Sequence, residues 1–181
     1  MISYILKEPK CVEAQEGPKP VPQGREVLVR IRYVGICGSD IHLFNGTYNG
    51  PHSYPMRFGH EWSGVVEAVG SEVTRVAVGD VVTGDCSRYC GACPSCEVDK
   101  NLCQHIEKFG ITVDGASADY ILRDEMYLYK APEGLDIKHL CLSEPVAVAA
   151  HLLEKVRKAV PSGFADKRVL VLGGGVIGMS A

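Results

Sequence analysis

The sequence predicts a mainly β protein with a few helices: a barrel or sandwich of short strands, followed by a change of pattern. Three observations carry this reading. Short apolar or alternating runs recur between glycine and proline turns over most of the chain. A helical period replaces them after Lys138. An unbroken apolar run then leads into a cluster of glycines, the form of a buried parallel strand and its turn.

The elements follow in order. Residues 2–6 are an apolar run ended by Glu8-Pro9, and Gly17, Pro18, Pro20, Pro22 and Gly24 punctuate the loop after it. Residues 26–34 alternate, with Val27, Val29, Ile31 and Tyr33 on one face and Arg30 and Arg32 on a solvated other, which predicts a half-buried strand. Residues 64–70, 76–82, 118–122 and 126–130 are further strand-like runs. Residues 145–158 predict a helix with proline in its first turn and Val148, Leu152 and Val156 on one stripe. Lys155, Arg157 and Lys158 near its end suit the helix dipole, and Pro161-Ser162-Gly163 breaks it. Residues 168–172 form the last predicted strand.

Composition narrows the function. The 181 residues suffice for one ordinary domain and part of a second. Apolar residues make up 46% and charged residues 23%, the balance of a globular chain. The net charge of -3, from 19 Lys+Arg against 22 Asp+Glu, offers nothing that would attract nucleic acid. The longest apolar stretch, residues 169–181, is glycine-rich and shorter than the roughly 20 residues a spanning helix needs, so no membrane partner is expected. The opening MISYILKEPK lacks a basic region followed by an apolar core, so a cytoplasmic setting with reduced thiols is expected.

Reduced thiols make the eight cysteines candidate ligands. Cys90-Gly-Ala-Cys93-Pro-Ser-Cys96 places three sulfurs on one turn that Gly91 and Pro94 suit, and Cys103 follows. Disulfides between such close neighbours would be strained, whereas four thiolates close tetrahedrally around a structural zinc. Cys86 is a weaker substitute ligand, and Cys11 and Cys141 read as small buried apolar residues. A second constellation joins Cys37 in Gly35-Ile-Cys-Gly-Ser-Asp-Ile-His42, His60 in Gly59-His-Glu61, and the carboxylate of Ser143-Glu144-Pro145. Three protein ligands and an open position are the pattern of catalytic zinc, which lowers the pKa of a bound hydroxyl. Asp40 is a candidate partner for the second nitrogen of His60, and Ser39 and His42 are candidates for passing a proton to solvent. Singly, each has a plainer reading: Cys37 as core, His60 as a satisfied polar group, Glu144 as a helix N-terminal charge. Finally, Gly173, Gly175 and Gly178 have the form of a dinucleotide fingerprint. The acidic residue expected about 20 positions later is absent. The chain is therefore expected to stop at the entrance to a cofactor domain.

Gly59-His60-Glu61-x-x-Gly64, continued by Gly70 and Val73, resembles the zinc-containing alcohol dehydrogenase signature. With Cys37 to His42, the Cys90/Cys93/Cys96/Cys103 lobe, Gly79-Asp80 and the terminal glycines, the chain resembles the medium-chain dehydrogenase/reductase family over nearly its whole length. Glu144-Pro145 through His151 is similar to the sorbitol and polyol dehydrogenase branch, with threonine dehydrogenase nearby. The resemblance implies a GroES-like, partly open β-barrel over residues 1–144 with a structural-zinc lobe at 86–104. It further implies a connecting helix at 145–160 and the first strand and turn of a truncated Rossmann domain at 166–181. It implies catalytic zinc on Cys37 and His60 with Glu61 or Glu144, a proton relay of Ser39 and His42, and Asp40 behind them. It implies NAD or NADP at Gly173, Gly175 and Gly178, a secondary alcohol or polyol oxidised to a ketone, and a homo-oligomer when intact. The spacing from Cys96 to Cys103 is one residue shorter than the family's usual one, which points to a remodelled lobe. The chain alone is expected to be inactive. Two rivals are a stand-alone zinc-binding module without catalysis and a metal-free quinone-reductase relative, for which Cys37, His60 and the lobe would have no use.

Overall fold

The computed structural model describes residues 1–160 and 167–181, in two units, Met1–Cys141 and Leu142–Ala181. In the first unit, β1 (Ile2–Glu8) and β2 (Cys11–Glu16) form a hairpin, and β3 (Glu26–Gly35) leads into α1 (Gly38–Asn45). Then come β4 (Met56–Arg57), β5 (Glu61–Val69), β6 (Val81–Gly84), β7 (Ser87–Arg88), α2 (Pro94–Val98), β8 (Glu107–Lys108), β9 (Tyr120–Asp124), β10 (Leu128–Lys130) and α3 (Ile137–Leu140). The strands make a three-stranded sheet β2-β1-β4, a five-stranded sheet β10-β6-β5-β3-β9 and a small pair β7-β8. The sheets do not close, which gives the partly open barrel that the sequence predicts.

The alternation of β3 buries Val27 and Val29 and leaves Arg30 and Arg32 outside. Val27, Val29, Trp62, Val66, Val82, Ile121 and Leu128 interlock as the main core. Tyr33 departs from the predicted face and is 40% exposed. The pairing of β3 with β5 explains it: the register skips Glu67 on β5 and then Arg32 on β3. Each bulge turns the side chains beyond it.

Local hydrogen bonding also moved other predicted strands. Only the end of residues 76–82 is strand, because Asp80 Oδ2 accepts the amide of Ala77 at 2.9 Å and Gly79 takes a φ of +92°. That side chain makes a turn where residue type favoured a strand. The run at 118–122 shifts to β9, with Ala118 bridged to Ser3 instead. In 126–130, Asp124 Oδ1 accepts the Met126 amide at 2.8 Å, so a short 3-10 turn at Glu125–Tyr127 precedes β10. Strand β2 has no sequence alternation to reveal it, and all but its first residue are exposed. Cys11 and Cys141 are half-buried, not core.

In the second unit, α4 (Ser143–Ala159) contains the predicted helix, with Arg157 and Lys158 in its last turn. Val148 and Leu152, the expected apolar stripe, are 47% and 50% exposed. The strand expected at 168–172 does not form: Leu170 is 80% and Leu172 88% exposed, in no sheet. A parallel strand needs flanking strands, and the described residues supply none. The glycine turn does form, with Gly173 at φ +108° and α5 (Val176–Ser180) after it. A Cβ on Gly178 would lie 2.0 Å from the Gly173 carbonyl oxygen, so only glycine fits there. The predicted break at residues 161–163, and residue 166, lie outside the described residues. Among the described residues, no helix is long and apolar enough to cross a membrane.

Candidate metal centres

Two groups of ligand-type side chains converge in the first unit. Cys37, His60 and Glu61 bring their ligand atoms within 4.8 Å of one another, and so do Cys90, Cys93, Cys96 and Cys103.

Sheet register builds the first group. Gly35, at the end of β3, pairs with Glu61, at the start of β5. Cys37, just past one strand, therefore meets His60, just before the other. Glu61 packs directly over Gly35, where a Cβ would lie 2.4 Å from Glu61 Oε2. His60 is held by a tight backbone junction. Gly59 takes a φ of +86°, and a Cβ on Gly115 would lie 2.3 Å from the Gly59 carbonyl oxygen, one on Gly110 2.8 Å from its nitrogen. His60 and Glu61 are 6% and 8% exposed.

Asp40 ties the two ligand-bearing segments together. Its Oδ2 accepts the Cys37 amide at 2.8 Å, and its Oδ1 accepts the Gly59 amide at 3.3 Å. The same Oδ1 stands 3.8 Å from His60 Nδ1, which has no hydrogen-bond partner among the described residues. A buried imidazole in that condition fits a ring that gives one nitrogen to a metal and has a carboxylate near the other. Ser39 Oγ is likewise buried without a partner among the described residues. Such an orphan costs free energy unless a ligand satisfies it. His42 sits in the last turn of α1, with Nδ1 2.9 Å from Thr47 Oγ1. Glu144 lies in the first turn of α4, in the second unit. Cys141 lies near enough to Glu61 for burial first, and that carboxylate second, to push its thiol pKa up.

The second group is local. Gly91 turns the chain at φ +71°, and Cys93 precedes Pro94 at the head of α2. The sulfur separations are 3.5 Å for Cys93–Cys96, 3.6 Å for Cys90–Cys103 and 3.9 Å for Cys90–Cys96. A tetrahedron with zinc–sulfur bonds of about 2.3 Å has edges of about 3.8 Å, so the sulfurs fit that ion. Cys103 completes the cluster despite its shorter spacing. Cys86 stays outside it, its Sγ 3.7 Å from Ser87 Oγ. Backbone N–H groups of Gln104 and Cys96 lower the pKa of Cys93, and those of Cys90 and His105 lower that of Cys103. Burial first, and the adjacent Cys93 second, raise that of Cys96. Crowded sulfurs of this kind resist full ionisation without a cation among them.

Sequence reasoning missed Asp40's bond to Gly59, the support of His42 by Thr47 and the junction of Gly59, Gly110 and Gly115. The excess of glycines around His60 was a signal for the last. The others need the folded backbone.

Residues 23–133 match the family of the alcohol dehydrogenase GroES-like domain. A sorbitol dehydrogenase of Halalkalibacterium halodurans is 37% identical over 169 residues, covering 92% of this chain and 47% of its own. D-xylulose reductase A of Aspergillus oryzae is 35% identical over 186 residues, covering 98% and 50%. The crystal structure of galactitol-1-phosphate dehydrogenase from Escherichia coli superposes with a TM-score of 0.88 at 31% identity, over 99% of this chain and 51% of that one. A short chain alcohol dehydrogenase from Escherichia coli CFT073, complexed with NADH, gives 0.87 at 31%, over 99% and 51%. The chain spans about half the length of these relatives. With a family model covering most of the barrel and dehydrogenases matched along nearly all its residues, the chain belongs to the zinc-containing medium-chain alcohol dehydrogenases.

Proposed function

We propose that the chain is the catalytic-domain part of a zinc-dependent dehydrogenase that oxidises a secondary alcohol, of the polyol class, to a ketone with hydride transfer to NAD or NADP. The convergence of Cys37, His60 and Glu61, with a buried Ser39 hydroxyl two residues along from Cys37 that has no partner among the described residues, carries this reading. Relatives named for sorbitol, xylulose and galactitol phosphate supply the substrate class.

Cys37 and His60 would hold the catalytic zinc, with Glu61 completing the set, and Cys90, Cys93, Cys96 and Cys103 the structural one. When bound, the catalytic zinc supplies Lewis acidity that lowers the pKa of a substrate hydroxyl. Asp40 fixes the Cys37 and Gly59 backbones, which orients both ligands before substrate arrives. Ser39 Oγ would accept the hydroxyl proton as its own proton leaves, and His42, held by Thr47 at the exposed end of α1, would hand a proton on to solvent. Gly173, Gly175 and Gly178 form the turn that would approach a pyrophosphate. The exposed apolar residues 169–172 support the need for further sheet before a dinucleotide is held.

Metal analysis and spectroscopy test this. The chain should hold two zinc ions, and Cys37→Ser should leave one. With cobalt in their place, a polyol should shift the visible absorption of the wild type but not of Cys37→Ser. Absorption unmoved at saturating polyol would overturn the reading. The chain mixed with polyols and NAD or NADP should not turn over; turnover at rates of whole dehydrogenases would refute the need for further sheet.

A further inference from the structure

The four sulfurs of the lobe are not equivalent. Cys93 and Cys103 are buried, Cys96 is half-buried and Cys90 is exposed. Hydrogen bonding sets Cys103 further apart from Cys90. Cys103 Sγ accepts the amides of Cys90 and His105, each at 3.3 Å. Among the described residues, Cys90 Sγ accepts no N–H and meets only other sulfurs. An N–H bond draws electron density from a thiolate and occupies a lone pair, so it lowers nucleophilicity. Cys103 is thus both buried and quenched, whereas Cys90 is the exposed sulfur of the four and carries no such bond.

Cys90 also faces space. It lines a cavity of about 670 Å³ with Tyr89, Tyr127, Arg88, His105 and Glu107. Arg88 and Glu107 pair with each other across that wall, so their charges largely cancel. The cavity therefore admits a small electrophile without selecting strongly for charge.

We propose that Cys90 is the modification-sensitive corner of the lobe, attacked first by small disulfides and alkylating agents, and that its reaction opens the metal site. With a disulfide R–S–S–R, the Cys90 thiolate attacks one sulfur, forming Cys90–S–S–R and releasing R–S⁻. Cys103 Sγ, 3.6 Å away, then attacks the Cys90 sulfur and expels the second R–S⁻. Two protein thiolates are oxidised to one disulfide, and the external disulfide is reduced to two thiolates. The lobe loses two of its four metal-binding sulfurs, so its metal leaves. This inference rests on the lobe holding zinc, and the catalytic group takes no part in it.

The test uses the zinc-loaded chain, treated with limiting iodoacetamide or glutathione disulfide, with peptide mass mapping over time and a chromophoric chelator reporting released zinc. Zinc content before treatment checks the metal reading separately, since a lobe without zinc refutes that reading first. Among the four lobe cysteines, Cys90 should be labelled on the order of tenfold faster than the next, as expected for the exposed sulfur of the four. Lobe zinc should be released in step with that label. First labelling at Cys93, Cys96 or Cys103 of a zinc-filled lobe would overturn the proposal, as would zinc retained after Cys90 is fully glutathionylated.

Discussion

Replacing Asp40 with asparagine isolates a side chain that joins the two segments carrying the candidate ligands Cys37 and His60. The substitution keeps shape and removes charge. An asparagine has one carbonyl oxygen, which would stay on the Cys37 amide, the shorter bond at 2.8 Å. Its NH2 would then face the Gly59 amide, a donor against a donor, where the carboxylate now accepts at 3.3 Å. Asp40 is 5% exposed, so water cannot repair the loss. Weakening one charge-assisted bond and leaving one buried N–H unpaired costs about 2–3 kcal/mol. For a unit of this size that lowers the melting temperature by roughly 6–10 °C. The same change frees the Gly59-His60 backbone and should weaken zinc at the Cys37 site by about 10–100-fold. Circular dichroism reads the first quantity and competition with a chromophoric chelator the second. The lobe site, which Asp40 does not touch, serves as the internal control. Loss of stability with unchanged affinity at the Cys37 site would refute the claim that Asp40 positions the ligands.

Three further outcomes are expected. Gly115→Ala places a Cβ 2.3 Å from the Gly59 carbonyl oxygen and 2.5 Å from that of Phe58, so it should cost about 1–3 kcal/mol and one zinc per chain, while Gly17→Ala, with nothing nearby, changes neither melting nor metal content. Cys103→Ser should lose the lobe zinc and keep the other, as elemental analysis against protein concentration will show. Glu125 is 1% exposed and accepts the amides of Arg75 at 2.7 Å and Thr74 at 2.8 Å, with Arg25 nearby; these bonds hold its native pKa below the ordinary carboxylate value. Its stabilisation is thus complete above the unfolded pKa and lost as pH falls through the lower native one, so Glu125→Gln should flatten the acid side of a melting-temperature profile from neutral pH downward.

How far the sequence disclosed this molecule depended on the range of each interaction. The lobe was legible because its determinants are local: Cys90, Cys93 and Cys96 lie on one turn, and spacing alone brings them together. Val27 and Val29 marked β3 because alternation is also local. Tyr33 was misplaced because a bulge depends on the partner strand, and residues 76–80 because a single Asp80 side chain redirected the backbone. Residues 168–172 show the reverse case. Their apolar character is real, but an isolated parallel strand has no hydrogen-bond partners, so composition could not make them a strand.

The site around Cys37 depends on something no motif contains, the register of β3 on β5. The two bulges in that pairing are opposite in sense. Skipping Glu67 advances the register by one residue, and skipping Arg32 sets it back, so the pairing at Gly35 and Glu61 is in phase with that at Val27 and Val69. Were only one bulge present, side chains at the site end would face the other side of the sheet. Cys37 and His60 would then be carried apart, although neither residue nor its neighbours had changed. The motifs name the candidate ligands, and the paired irregularities in β3 and β5 decide whether they meet. Mutations at Glu67 or Arg32 that straighten one bulge should therefore act on zinc affinity at a distance, with no contact to the metal site.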